Sequence, residues 1–271
     1  MSSLPSLGLI AGNGIYPSLV IRAARAHGVN RIHVAAFEGE TRPEIAESVD
    51  AIEWMRVGQL NRMLKFFSRS GVRHAIMAGQ IAPKNLFELR PDLKALMLLS
   101  ALKIRNAETI FSGIAGELAK IGVVLLPATT FLEGSLAAPG WLAGPKPKRR
   151  LIEDAEYGFR IAKEVSKLDI GQTVVIRHGT VVAVEAFEGT NEAIRRGAKL
   201  ARGFSVVVKV SKPNQDFRFD VPVIGCQTIE VAVEAGVKMV AVESGKTLLL
   251  DAEAVKTAAD QRQITIYGIG E

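Results

Sequence analysis

The stretch Leu7-Gly8-Leu-Ile-Ala11-Gly12-Asn13-Gly14-Ile15-Tyr-Pro17 decides the fold. Leu7–Ala11 is an apolar run of strand length, and Ile15–His27 reads as a helix. The glycines between them let backbone approach a ligand closely, and a helix N-terminus favours an anion. The motif falls short of G-x-G-x-x-G, because Pro17 stands at the third glycine position. Glu38 is the nearest acidic candidate after the second strand. Gly12, Asn13 and Gly14 are therefore candidates for nucleotide or phosphate contact. A tight strand-to-helix turn with no ligand is the alternative.

Outward from this turn, short apolar runs alternate with amphipathic ones. Arg31–Phe37, Ala51–Arg56, His74–Ala78 and Val123–Leu126 read as strands. Gln59–Ser70, Pro91–Lys103 and Ala107–Ile121 read as helices, the first with Leu60, Leu64 and Phe67 at helical spacing. The alternation implies parallel βαβ units. The expected class is α/β, with an N-terminal Rossmann-like parallel-sheet domain over residues 1–133. Ligands of such sheets bind beyond the carboxyl ends of the strands. That places Gln80 and Lys84, in Ala78-Gly79-Gln80-Ile-Ala-Pro-Lys84, where they can meet a phosphate or sugar. A plain surface lysine is the alternative there.

Residues 134–150, GSLAAPGWLAGPKPKRR, break the rhythm with Gly and Pro and read as a linker. Their basic end, Lys146, Lys148, Arg149 and Arg150, is either a solvated linker or a headgroup or nucleic-acid contact. Residues 151–271 form the second domain, expected as mixed α/β. Thr173–Arg177 and Val181–Ala186 flank a hairpin signal at His178-Gly179. Asn191–Ala201 and Thr228–Ala235 read as helices, and Ser205–Val210, Met239–Glu243, Thr247–Leu250 and Ile264–Tyr267 as strands. Asp251 reads as the N-cap of a helix reaching about Gln261.

Composition narrows the function. The 271 residues include 34 Lys+Arg and 28 Asp+Glu, a net charge of +6, and 48% are hydrophobic. That excludes a disordered chain. A single cysteine, Cys226, excludes a disulfide scaffold and points to a reducing compartment. Cys226 reads as a small buried thiol, or as one activated at a helix start. The first 21 residues carry no side-chain charge, but no cation precedes the apolar stretch and Gly8, Gly12, Gly14 and Pro17 interrupt it. With no window near ~20 apolar residues, a cytoplasmic protein is expected, with contact to a membrane surface left open. The basic balance suits an anionic partner. The four His have no metal-binding spacing, and no G-x-S-x-G or G-x-x-x-x-G-K-[ST] occurs. Aromatics are 6% of the chain and do not interleave with basic residues, which argues against nucleic acid.

The densest polar cluster is Lys209-Val-Ser-Lys212-Pro-Asn-Gln215-Asp216-Phe-Arg218-Phe-Asp220-Val-Pro222. If residues 215–221 are extended, Asp216, Arg218 and Asp220 share one face and Phe217, Phe219 and Val221 the other. Two carboxylates at that spacing can hold Mg²⁺. Lys209, Lys212 and Arg218 can neutralise phosphoryl oxygens. A plain Asp–Arg–Asp ladder on a strand edge is the alternative. In Val184-Glu185-Ala-Phe-Glu188-Gly-Thr190-Asn191, Thr190 or Asn191 can cap the following helix, and Glu188 can act as base or metal ligand.

These segments together resemble the LpxI family, the UDP-2,3-diacylglucosamine pyrophosphatases of lipid A biosynthesis. The resemblance rests on the Gly8–Pro17 turn, Arg56-Val-Gly-Gln-Leu60, Ala78-Gly-Gln80…Pro83, Asp169-Ile-Gly-Gln172-Thr-Val-Val, the Glu188-Gly-Thr190 segment and Lys209–Pro222. It spans about residues 7–268, and the last two segments are the most specific. The resemblance implies Mg²⁺-dependent hydrolysis of UDP-2,3-diacylglucosamine to UMP and 2,3-diacylglucosamine 1-phosphate (lipid X). It also implies two domains enclosing the substrate, a homodimer, and Asp220 as the residue most tied to catalysis; Asp216 and Glu188 are further catalytic candidates from their own chemistry. Thr190, Lys209, Lys212, Gln215 and Arg218 are the candidate substrate contacts. Where the family has an acidic triplet before a helix, this chain has Arg105-Asn106-Ala107-Glu108, and Glu108 is the acid that stands there. An NAD(P)-dependent oxidoreductase and a non-catalytic nucleotide- or nucleic-acid-binding module are the rival readings.

Overall fold

In a computed structural model, residues 4–81, 91–104 and 106–270 are described. The chain divides into two compact units. Met1–Leu132 with Asp216–Asp220 make the first, and Glu133–Gln215 with Val221–Glu271 the second.

The first unit is built on five parallel strands: β1 (Ser6–Ala11), β2 (Arg31–Phe37), β3 (Ala51–Met55), β4 (His74–Ala78) and β5 (Val124–Leu125). Their order is β3-β2-β1-β4-β5, so the direction of winding reverses between β1 and β4. Both faces are covered, which is why β1 reads as an unbroken apolar run. Helices α1 (Tyr16–Ala26), α2 (Leu60–Ser70), α3 (Leu93–Ala101) and α4 (Ala107–Lys120) accompany it. Phe67 of α2 is fully buried in the core beside Leu118 of α4. Asp92 caps α3 through the Ala95 N–H at 2.9 Å and also accepts the Asn61 N–H of α2 at 2.7 Å. Asn106 caps α4 by accepting the Thr109 N–H at 3.0 Å, and Glu108 lies in that first turn. Carboxyl and amide oxygens at these positions satisfy donors that a helix start leaves open.

One face of α3 carries an apolar stripe in contact with water. Leu93, Leu96 and Met97 recur at i, i+3 and i+4 and are 74%, 50% and 61% exposed. Ile104, just past the helix, is 65% exposed. The stripe faces away from Ala95, which is buried.

The second unit holds a six-stranded sheet in the order β6-β13-β11-β9-β7-β8. These are β6 (Gly140–Ala143), β7 (Thr173–Arg177), β8 (Thr180–Val184), β9 (Val206–Lys209), β11 (Met239–Glu243) and β13 (Thr265–Ile269). β9, β11 and β13 are parallel, while β6, β7 and β8 run antiparallel to their neighbours. A separate pair joins β10 (Val223–Ile224) to β12 (Leu248–Leu249). Side chains alternate between two cores. Val174, Ile176, Val206 and Val208 face α5 (Arg149–Lys167), and Val175, Val207, Val240 and Val242 face the other side. On that side lie α6 (Thr190–Ala201), α7 (Cys226–Glu234) and α8 (Ala252–Arg262). The helices approach the sheet closely at glycines. A Cβ on Gly158 would lie 2.7 Å from Val208, and one on Gly197 2.7 Å from Val175.

Three local readings of the sequence change. Residues 134–150 are built into the second unit rather than forming a free linker. β6 pairs with β13, and Lys148 precedes the longest helix. A glycine of the segment serves close packing: a Cβ on Gly144, at φ +75°, would meet the Ile264 carbonyl oxygen at 1.9 Å. Asp251 precedes α8 but makes no side-chain cap. Residues 215–221 are not extended, because Asp216–Asp220 closes into a turn. The His178-Gly179 hairpin forms, both residues in the left-handed region, and buried Asp154 of α5 accepts both their N–H groups.

Candidate active site

In the first unit, the carboxyl ends of β1 and β4 meet where the strand order reverses, the position where open α/β sheets bind ligands. The Gly12 N–H donates to Ala78 O at 2.8 Å, and Asn13 N–H to Gln80 O at 2.7 Å. Gln80 N–H returns a bond to Asn13 O, and Gly14 N–H donates to Asn13 Oδ1 at 2.6 Å. A Cβ on Gly12 would sit 2.8 Å from Gln80 O, and one on Gly79, at φ +95°, 2.7 Å from Asn13 O. The close approach that the glycines permit is thus between two loops of the protein. The N–H groups of Gly12 and Asn13 are committed there, and that of Gly14 to the Asn13 side chain. The crevice turns the exposed Asn13 and Gln80 outward. Lys84 lies outside the described residues.

Tyr16, the first residue of α1, donates its buried hydroxyl to Ala128 O at 2.6 Å, and burial pushes its pKa up. The Ala128 N–H in turn donates to Phe217 O at 2.7 Å. A single residue, Ala128, therefore ties the Asp216–Asp220 turn to the helix that follows the glycine turn. Two segments that are about 200 positions apart in the sequence converge in one unit. The turn is closed by bonds from the N–H groups of Phe219 and Asp220 to Asp216 O, at 3.2 and 2.9 Å. Phe219 anchors it by packing on Phe111, with ring centroids 5.5 Å apart. Arg218 grips Asp216 with Nε on Oδ1 at 2.9 Å and Nη2 on Oδ2 at 2.5 Å. Arg218 beside it holds the Asp216 carboxyl below the usual range. Asp220, partly exposed, ends the same turn. Asp216, Arg218 and Asp220 do fall within one turn, though a turn rather than a strand face brings them together.

In the second unit, Lys209 ends β9 and donates to Thr190 Oγ1 at 2.9 Å. Thr190 opens α6 and donates to Glu185 Oε1 at 2.9 Å. Gly189 stands at the cap position, so Thr190 does not cap; its hydroxyl is spent on Glu185. Glu185 Oε2 is buried with no hydrogen-bond partner among the described residues. Lys212 pairs with Asp169 through Nζ, and its N–H donates to Gln215 Oε1 at 2.7 Å. Gln215 Nε2 is buried without a partner. Glu188 pairs with Arg196 at 2.5 Å and accepts the Ala186 N–H at 3.0 Å. The Arg196 bond lowers its pKa. Cys226 is partly buried, and burial pushes its thiol up, as for an unreactive thiol.

Glu185, Asp169 and Tyr16 were not singled out as site residues from the sequence. Their partners are 5, 43 and 112 positions away, and no local pattern announces such pairings. Among the described residues no three His, Cys, Asp or Glu converge as a metal cage. Asp216 is paired with Arg218 through both carboxylate oxygens. Asp220 is an oxygen donor of the type that Mg²⁺ takes, and one or two carboxylates with substrate phosphates suffice for that ion.

The Asp216–Asp220 turn presents two carboxylates and a guanidinium, and the end of β9 presents Lys209, side chains suited to charged ligands. Known families bear on this directly. The LpxI N-terminal domain matches residues 6–135, and the LpxI C-terminal domain matches residues 138–267. A protein of Caulobacter vibrioides named UDP-2,3-diacylglucosamine pyrophosphatase LpxI is 31% identical over 279 residues, covering 97% of each chain. The chain belongs to the LpxI family.

Proposed function

We propose that the protein hydrolyses the pyrophosphate bond of UDP-2,3-diacylglucosamine. Water adds across the P–O–P linkage, one bridging P–O bond breaks, and UMP and 2,3-diacylglucosamine 1-phosphate leave. The observation that carries this reading is the tether Tyr16–Ala128–Phe217, which ties the Asp216–Asp220 turn to the first residue of α1, two positions after the glycine turn. In this reading Asp220 is the catalytic carboxylate. Asp216 orients Arg218, whose guanidinium meets phosphate oxygens. Lys209 and Lys212 supply further cations, and Gln215, Thr190, Asn13 and Gln80 supply polar contacts. Glu188 holds the loop before α6 through Arg196. Mg²⁺, held by Asp220 and completed by substrate phosphates and water, would supply charge neutralisation at the phosphoryl oxygens.

The substrate named for the relative carries two acyl chains. That accords with the bare stripe on α3, which we read as a peripheral contact with the cytoplasmic face of a membrane. No helix among the described residues is long and apolar enough to cross a membrane. Charge supports the same unit for this contact. The first unit, residues 1–132 with 216–220, carries 16 Lys+Arg and 12 Asp+Glu, a net +4, against 18 and 16, a net +2, in the second. Basic surface is attracted to anionic lipid. Cosedimentation with anionic vesicles is expected to fall at least severalfold in Leu96→Glu/Met97→Glu, with turnover of detergent-dispersed substrate retained. The family resemblance adds a homodimer, for which light scattering should give twice the mass of one chain. The decisive assay is UMP release from UDP-2,3-diacylglucosamine with and without Mg²⁺. UDP-N-acetylglucosamine should be a poor substrate, because remote binding energy from the acyl chains is missing.

A further inference from the structure

Glu185 and Glu243 both lie near strand ends of the second unit, yet only one of them is saturated. Glu243, 4% exposed, takes bonds on both oxygens. Glu185 uses one oxygen on Thr190 and leaves the other buried and unbonded among the described residues. Its backbone is gripped as well: a Cβ on Gly171 would lie 2.0 Å from Glu185 O. The residue therefore sits on a fixed frame.

The direction of each hydrogen bond follows from the groups. A lysine ammonium only donates, so Thr190 Oγ1 must accept from Lys209. The one hydroxyl proton then goes to the nearer and charged acceptor, Glu185 Oε1 at 2.9 Å, while Thr173 Oγ1 lies at 3.5 Å. The carboxylate thus fixes the hydroxyl rotor with its lone pair toward the ammonium. Without it the hydroxyl proton could turn toward the ammonium and repel it. A lysine side chain loses much rotamer freedom when it is ordered. A relay formed during folding places that cost before substrate arrives.

We propose that Glu185 is a positioning residue, which acts through the Thr190 hydroxyl to hold Lys209 ready for the anionic phosphate groups of the substrate. This rests on the reading of Lys209 as a phosphate contact. It adds a residue outside the acidic and basic cluster of Lys209–Pro222. It also gives Thr190 the role of a link rather than a helix cap.

The test is a double-mutant cycle on the full-length protein. Thr190→Val is nearly isosteric and removes only the hydroxyl; Glu185→Ala removes the acceptor; Lys209→Met removes the ammonium. Thr190→Val and Glu185→Ala are each expected to lower kcat/KM about tenfold to a hundredfold, the range for losing a partner that orients a functional group. Thr190→Ser should recover most of what Thr190→Val loses. In the Lys209→Met background neither substitution should cost more than twofold further, because the group they position is gone. A purely structural role would instead multiply the losses and leave Thr190→Ser without rescue, and either result overturns the proposal, as would full activity in Thr190→Val. Circular dichroism of each variant checks folding. If the wild-type protein releases no UMP, the substrate reading fails on its own. The same cycle is then read by calorimetric binding of inorganic pyrophosphate. Non-additive losses there support the relay, and binding that ignores Lys209 overturns it.

Discussion

Ser211 and Asp216 lie five residues apart, yet their surroundings are opposite in kind. Around Ser211 the charge is buried and closed. Glu243 accepts the Ser211 N–H at 2.7 Å and its hydroxyl at 2.8 Å, Lys163 at 3.1 Å and Lys246 at 2.8 Å. Around Asp216 the charge is partly exposed, and the turn is held by its backbone and by Phe219. Each is fastened to a different unit of the protein. A saturated buried carboxylate keeps a chain in place, whereas this turn is fastened by its backbone and by Phe219 and keeps its charged side chains at the surface. The first should therefore govern stability and the second activity.

The sharpest way to break this contrast is Asp220→Ala. Turnover should fall by up to about 10⁴-fold, the upper range for a group in acid–base catalysis, with the unfolding midpoint unchanged. Glu243→Ala should do the reverse. Removing one partner of a buried ion pair costs about 3–5 kcal/mol, read as a lower urea midpoint, because Lys163 and the Ser211 N–H lose their acceptor. Tyr16→Phe should lie between the two. Leaving the Ala128 carbonyl without its donor costs about 1–3 kcal/mol, and kcat should drop severalfold because the same residue tethers the Asp216 turn.

These contrasts were only partly legible in the sequence. β2, β4, β7 and β11 have the bounds that their apolar runs suggest, because buried parallel or central strands are written in β-branched and small apolar residues. The longest helix, α5, escaped notice because it opens on Lys148-Arg149-Arg150, with no acid in its first turn and no side-chain cap. Phe217, Phe219 and Val221 alternate as a strand would. The period was misleading because the Asp216 carbonyl captures two N–H groups and closes a turn before any neighbour can pair. The residues of the Lys209–Pro222 cluster stood out by charge density, whereas Glu185 and Tyr16 act through partners that only folding supplies.

Acid should sharpen the comparison with the smallest effect. Burial raises the Glu243 pKa, but bonds from Lys246, Ser211 and Lys163 outweigh it, and the carboxyl is held below its ordinary 4.5. A depressed folded value means that the stability it lends is complete above pH 4.5 and is lost as pH falls through the lower folded value. Asp216, held low by Arg218, contributes in the same sense below 3.8. Urea midpoints from pH 7 to pH 3 should fall less steeply in Glu243→Gln than in the wild type.

The central claim is that the turn ending at Asp220 carries pyrophosphate hydrolysis in this protein. Release of UMP from UDP-2,3-diacylglucosamine, measured side by side for the wild type and Asp220→Ala with Mg²⁺ present, tests it most directly. Steady release by the wild type and near-background release by a folded Asp220→Ala protein is the predicted result. Equal rates in the two proteins would contradict the account.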